Sequence, residues 1–215
     1  ASLLLAGALA CGAALHAAPD GATTSTATTT ATTTATASTA AASTRPDAEG
    51  YVRDWLLLAP LRLPDEGACG DLLLTEQIPG EARLKPRAGD RVTVRGHELT
   101  WTRVTNTTNF FDFNATLKSQ NDRTAGFLVT YLECDEDVPN VIVSVGTNDE
   151  GRIYFNGVDI YAYTEARPLQ LDADKGKITL KKGLNVIVFK VINEQNSWQA
   201  ALRLQDKSGA PLKNV

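Results

Sequence analysis

From Tyr51 onward the chain is a succession of apolar runs broken at short intervals by Gly, Asn, Asp and Pro. Val141–Val145 reads as a strand, Gly146–Gly151 as a polar turn and Arg152–Phe155 as a second strand. Asn156 and Gly157 close a hairpin, because both central residues of a type I′ turn need positive φ, which Asn and Gly tolerate best. Val158–Tyr163 then folds straight back. A two-residue loop predicts Phe155 opposite Val158 and Ile153 opposite Ile160 on a core face. The other face pairs Tyr154 with Asp159 and Arg152 with Tyr161, and Tyr163 shares its parity.

The remaining segments give the same period. Tyr51–Leu58 is a strand that Ala59 and Pro60 stop, whereas Asp71–Thr75 is too short to assign as helix or strand. Arg91–Arg95 and Glu98–Val104 form a second hairpin about Gly96 and His97. Asn106–Asn121 is a long polar loop holding one short strand near Phe110–Phe113, and Gly126–Leu132 is a clear strand. Lys177–Leu180, a Lys181-Lys182-Gly183 turn and Leu184–Ile192 follow. The last of these is apolar on both parities, as expected of an interior strand covered on both faces. Trp198, Ala200, Leu202 and Leu204 alternate onto one face of the final strand, and Trp55, Trp101 and Trp198 read as core. Many short strands with turn signals every 8 to 12 residues or so predict an all-β sandwich.

Composition divides the 215 residues into three parts. Residues 1–18 contain the apolar run Ser2–Ala10, which resembles the hydrophobic region of a bacterial export signal. Cys11 follows Ala8-Leu9-Ala10, so it is either the lipidated cysteine of a lipoprotein box or a residue beyond an ordinary cleavage site. Residues 19–48 are a linker, in which every residue from Ala22 to Thr44 is Ala, Thr or Ser; with nothing large to bury, it reads as a disordered tether. Residues 49–215 are the sandwich domain, long enough to bury a core without cross-links. Of the formal charge of −4, Asp20 carries the only contribution before Arg45, which leaves −3 of mixed sign on the domain. That balance offers nothing to nucleic acid, and membrane contact is expected only through a lipid on Cys11. An exported domain with two cysteines predicts a Cys69–Cys134 disulfide.

Together these motifs resemble the galactose-binding-domain-like jelly-roll modules of bacterial surface and secreted proteins. The resemblance rests on Asp54–Pro60, the Pro86–Gly89 loop before a hairpin ending in Trp101, Asn148-Asp149 followed by Arg152–Phe155 and Asn156-Gly157, Lys182–Asn185, and Trp198–Leu204. It covers roughly Gly50 to Leu212, and departs from the pattern at Asn148, where an aspartate is usual, and at Glu150, where a glycine is usual. It implies a jelly-roll sandwich attached to or working beside glycan-acting proteins.

Catalytic constellations are absent from the sequence pattern. His97 is the sole histidine beyond the signal segment and sits at a hairpin turn, with no nucleophile elbow, zinc-type spacing or phosphate loop to accompany it. No cofactor is required, but Asn148, Asp149, Glu150, Asp172 and Asp174 offer hard oxygen ligands for calcium, the alternative being an Asx-rich turn that caps its own backbone. A pyranose stacks its C–H face on a ring and pairs its hydroxyls with charged neighbours, which Arg152, Tyr154, Asp159, Tyr161 and Tyr163 offer on the hairpin's outer face. The competing reading is that loops cover this face. The chain is thus expected to be a non-catalytic exported module, carbohydrate-binding or interacting with a surface protein, in the cell envelope or secreted. The alternative is a structural or protein-binding sandwich without a sugar site.

Overall fold

A computed structural model describes residues 43–213 and Val215. The expected export signal, Cys11 and the expected Ala/Thr linker as far as residue 42 lie outside the described residues. Twelve strands and two short helices occur among those described. They are β1 (Asp54–Arg62), α1 (Cys69–Leu74), β2 (Arg91–Val94), β3 (His97–Thr100), β4 (Thr102–Thr105), β5 (Phe111–Asp112) and α2 (Phe113–Leu117). β6 (Thr124–Cys134), β7 (Val138–Asn148), β8 (Glu150–Phe155), β9 (Val158–Tyr163), β10 (Asp174–Leu180), β11 (Gly183–Asn193) and β12 (Gln199–Gln205) complete the order. A single 3-10 turn, Glu81–Arg83, lies between α1 and β2.

The fold is an all-β sandwich of antiparallel sheets. Six strands run in the order β4-β1-β6-β11-β8-β9, facing four in the order β10-β7-β12-β5. The core between them contains Trp55, Leu57, Leu128, Val143, Ile153, Ile187, Phe189 and Trp198. Trp198 stacks on Phe113 with ring centroids 4.2 Å apart. A side chain at position 126 would meet both rings, its Cβ falling 2.5 Å from Phe113, so Gly126 is a packing requirement in the middle of an apolar run.

The six-stranded sheet has a second apolar face. Leu58, Phe127, Val129, Tyr131, Val188 and Ile192 pack there beneath Leu73 of α1, Ile78, and Val94 and Trp101 of the β2–β3 region. Residues 63–101 thus form a cover layer. This accounts for the two-sided apolar pattern of β11, which lies between β6 and β8 with Phe189 turned to one layer and Val188 to the other.

Lys190 interrupts that pattern, and its ammonium has no solvent exposure. It donates to Leu73 O at 2.9 Å, Thr75 O at 2.6 Å and Glu81 Oε1 at 2.9 Å, one partner for each of its three protons. Two of these acceptors are carbonyls at the end of α1, which have no partner within the helix. Glu81 also accepts from Gln77 N at 2.9 Å and Tyr154 Oη at 2.7 Å. Burial holds the Lys190 ammonium below its usual pKa, against the opposing pull of Glu81. This polar knot fastens the cover to the sheet.

Four expectations change. β1 continues through Pro60 to Arg62, with a register shift between Leu58 and Leu61; β4 pairs only with Asp54–Leu57, so Pro60 lacks no ladder bond. Asp71–Thr75 becomes the end of α1, and Phe113–Leu117 becomes α2, capped by Asp112 Oδ1 accepting from Ala115 N at 2.9 Å. The sandwich also starts earlier than residue 49. Thr44 N donates to Tyr131 O at 2.8 Å, and Arg53 Nε donates to Asp47 Oδ2 at 2.6 Å, pairings that composition does not reveal. Finally, Cys69 and Cys134 are free, buried thiols. Cys69 contacts Arg123 just before β6 begins, Cys134 ends the same strand, and the two belong to opposite faces of the sheet. Eleven residues of strand separate their positions by about 30 Å, far beyond disulfide reach.

Removing the cation should expose how much the cover depends on it. Lys190→Met leaves the Glu81 carboxylate buried without its counter-charge and is expected to cost about 3–5 kcal/mol in urea unfolding. Lys181→Met, which breaks a solvent-exposed pair with Asp137, should leave the midpoint unchanged. Equal midpoints for the two variants would contradict the anchoring role.

Candidate functional site

The Asn156-Gly157 turn forms as expected, with φ of 49° and 85°. Phe155 opposes Val158 and Tyr154 opposes Asp159, but the register then shifts and Ile153 meets Tyr161 in place of Ile160. One additional residue on β9 reverses its parity beyond the turn. The five residues expected on one outward face are therefore divided between two environments.

Tyr154 faces the cover layer and is 5% exposed. Its hydroxyl donates to Glu81, and burial followed by that carboxylate raises its pKa well above the phenol range. Arg152 lies over the Tyr154 ring at 4.9 Å; its Nε donates to Asp159 Oδ2 at 2.8 Å and its Nη1 to Leu74 O at 2.7 Å. Tyr161 is turned to the other side. Its hydroxyl donates to Asp174 Oδ2 at 2.9 Å, and Arg167 Nη2 donates to the same phenol oxygen at 2.8 Å while its guanidinium covers the Tyr163 ring at 3.7 Å. The expected sugar platform on this hairpin is a set of structural contacts, because the cover and the bulge occupy the faces that strand parity alone left open.

The expected calcium ligands are likewise separated. Asp172 accepts from Arg203 Nη1 at 3.0 Å, and Asp174 from Arg167 at 2.5 Å, so both aspartates already have guanidinium counter-charges. Asn148 lies against Asp149 and the Ser197 carbonyl. Asp149 Oδ2 accepts from Glu194 N at 2.9 Å. Only Asp149 and Glu150 remain adjacent to other unneutralised acids.

Glu150 belongs to a grouping that the sequence pattern did not suggest. Its pairing with Ile192 in the β8–β11 ladder brings it beside Glu194, two residues further on, and α1 starts above them at Cys69. Donor atoms of Cys69, Glu150 and Glu194 lie within 4.8 Å of one another, the group of three potential metal ligands among the described residues. Glu150 is fully buried and neither carboxylate oxygen has a hydrogen-bond partner. Burial first, then the charges of Glu194 and Asp149, push its pKa up to about 8. Burial likewise pushes the Cys69 thiol up to about 11, opposed by Arg123, whose Nη1 is 3.8 Å from Sγ. Arg123 is otherwise engaged with the carbonyls of Pro64, Glu66 and Gly67. The available sequence signal was a glutamate inside the predicted Gly146–Gly151 turn, at the position where the resembled pattern has a glycine.

An open cleft of about 360 Å³ lies between the end of β1 and the β2–β3 hairpin. Leu61, Leu63 and Val94 form its apolar floor, and Arg62, His97 and Glu98 stand exposed at its rim. Arg95 Nη1 donates to Arg62 O at 3.0 Å and ties the two walls together. β4 does not reach this part of β1, so the cleft opens beside an unpaired strand edge. His97, expected as a solvated turn residue, is exposed and borders this cleft. Comparison with known proteins finds no matching family model and no matching curated protein.

Two outcomes follow from these placements. Tyr154→Ala and Phe155→Ala should each destabilise the fold by about 3–5 kcal/mol, because both rings are buried; an unchanged denaturant midpoint for the tyrosine variant would contradict its burial. For Glu150, the folded chain holds a proton that the unfolded chain has released between the ordinary value of 4.5 and about 8. Its stabilising contribution is complete below that range and is lost as pH rises through about 8. Burial also raises the pKa of Asp149, which acts in the same direction. The melting temperature of metal-free protein should therefore fall across this interval, and Glu150→Gln should flatten the slope and melt higher at its alkaline end.

Proposed function

We propose that the protein is a non-catalytic, exported recognition module of the galactose-binding-like kind, and that it takes a saccharide unit in the cleft between β1 and the β2–β3 hairpin. The observation that carries this reading is the cleft itself: an apolar floor bounded by an exposed guanidinium, imidazole and carboxylate. A pyranose presents the complementary pattern, with C–H groups on one face and hydroxyls around the edge that need both donors and acceptors. Arg62 supplies donors only, Glu98 acceptors only and His97 one of each. The non-catalytic part of the reading is supported by the engagement of the charged groups elsewhere. Lys190 and Glu81, Arg167 and Asp174, and Arg152 and Asp159 are committed to fastening segments together.

Retention of the full chain in gels containing individual polysaccharides tests this. Arg62 and His97 lie on the surface, so Arg62→Ala and His97→Ala should keep the melting temperature of the parent protein. Each is expected to weaken retention on the bound polysaccharide by about tenfold, the loss of roughly one good polar contact. No retention on any polysaccharide, or retention unchanged in both variants, would move the reading to a protein partner or a structural sandwich.

A further inference from the structure

The cluster at the start of α1 has a chemistry of its own, independent of the cleft. Cys69 opens α1, Glu150 opens β8 and Glu194 directly follows β11, yet their donor atoms converge within 4.8 Å. The arrangement is more than a group of acids on a surface, since Glu150 is wholly buried and directs two unpartnered oxygens into it. A buried carboxylate without a hydrogen bond is strongly unfavourable as an anion, so the site requires either a proton or a cation. With Asp149 alongside, four acidic groups face the single guanidinium of Arg123. A divalent ion would remove two of the three excess negative charges of their fully ionised forms.

We infer that Cys69, Glu150 and Glu194 form a binding site for a divalent d-block cation of the zinc type. Thiolate sulfur selects such ions over calcium and magnesium, which take oxygen ligands almost exclusively. Three protein donors plus one water match a four-coordinate zinc site with an open position. Zinc–sulfur and zinc–oxygen bonds of about 2.3 and 2.1 Å place donors roughly 3.5 Å apart, so donors already within 4.8 Å of one another need close in by no more than about an ångström. Glu194 is exposed and just past the end of β11, and its side chain is free to make that movement. Glu150 is fixed at the start of β8 and Cys69 at the start of α1, so the buried pair sets the position of the ion. On binding, the metal replaces the Cys69 thiol proton and the Glu150 carboxyl proton. One sulfur–metal and two oxygen–metal bonds form, two protons pass to solvent, and no oxidation state changes.

The full chain, stripped with chelator, is titrated with Zn²⁺ and separately with Co²⁺. One equivalent of Zn²⁺ is expected to bind and raise the melting temperature, and Ca²⁺ should not substitute for it. Co²⁺ should give a thiolate-to-metal charge-transfer band that persists in Cys11→Ser and disappears in Cys69→Ser. Glu194→Gln changes an exposed side chain and is expected to fold normally while weakening Zn²⁺ affinity at least about tenfold, since even outer-shell changes cost that much. Absence of the cobalt band in the parent protein, or an unchanged melting temperature in excess Zn²⁺, would overturn the site and leave a protonated Glu150 in its place. Unchanged Zn²⁺ affinity in Glu194→Gln would overturn the three-ligand set. Glycan retention is measured on the same metal-free samples, so loss of either property is seen separately from the other.

Discussion

The buried ammonium of Lys190 holds the cover layer of this protein to the six-stranded sheet. It lies in β11, a strand enclosed between β6 and β8 and covered on both faces, and has no contact with solvent. Such a charge persists in a folded interior only when every proton has an acceptor and a counter-charge is at hand. The chain meets this requirement by laying the end of α1 and the carboxylate of Glu81 directly over it. The hydrophobic packing of Leu73 and Ile78 on the same face provides the bulk of the contact area, but it has no direction of its own. The polar knot gives the cover its register on the sheet.

Both candidate sites follow from where that cover lies. By occupying the outer face of the six-stranded sheet, it closes over Tyr154 and recruits Arg152 to the carbonyls of Leu73 and Leu74. It also creates the features that replace the lost surface. Its far end, the β2–β3 hairpin, stands beside the unpaired portion of β1 and leaves the cleft between them. Its near end begins at Cys69, which it sets above Glu150 and Glu194. The two candidate sites lie at different parts of one layer, and each uses groups that the sandwich core does not need.

The cluster at Glu150 contrasts with the knot at Lys190. Both sit on the same face of the sheet and both contain ionisable groups without solvent exposure. Lys190 is fully satisfied, whereas Glu150 has no partner and its neighbours carry charge of the same sign. Satisfied polar networks rigidify a fold; unsatisfied ones mark positions where a proton or a ligand belongs. The difference is one of partners, and no local property of either strand distinguishes them.

Much of the architecture was legible in the amino-acid order. The strand periods, the Asn156-Gly157 turn, the two-faced burial of β11 and the core placement of Trp55, Trp101 and Trp198 all follow from local pattern, because side-chain parity and turn geometry are properties of a few adjacent residues. The tertiary structure decided what each face meets. Ile160 shifts the β8–β9 register and carries Tyr161 away from the face that parity assigned it. Lys190 finds Glu81 across 109 residues of chain, and Cys134 lies at the opposite end of β6 from the thiol it was expected to bond. Such outcomes depend on which distant segment packs over a strand, a choice made by the summed burial and pairing of the whole domain. A sequence period records that a face is apolar or polar, and only the packed chain determines whether water, a helix end or a carboxylate lies against it.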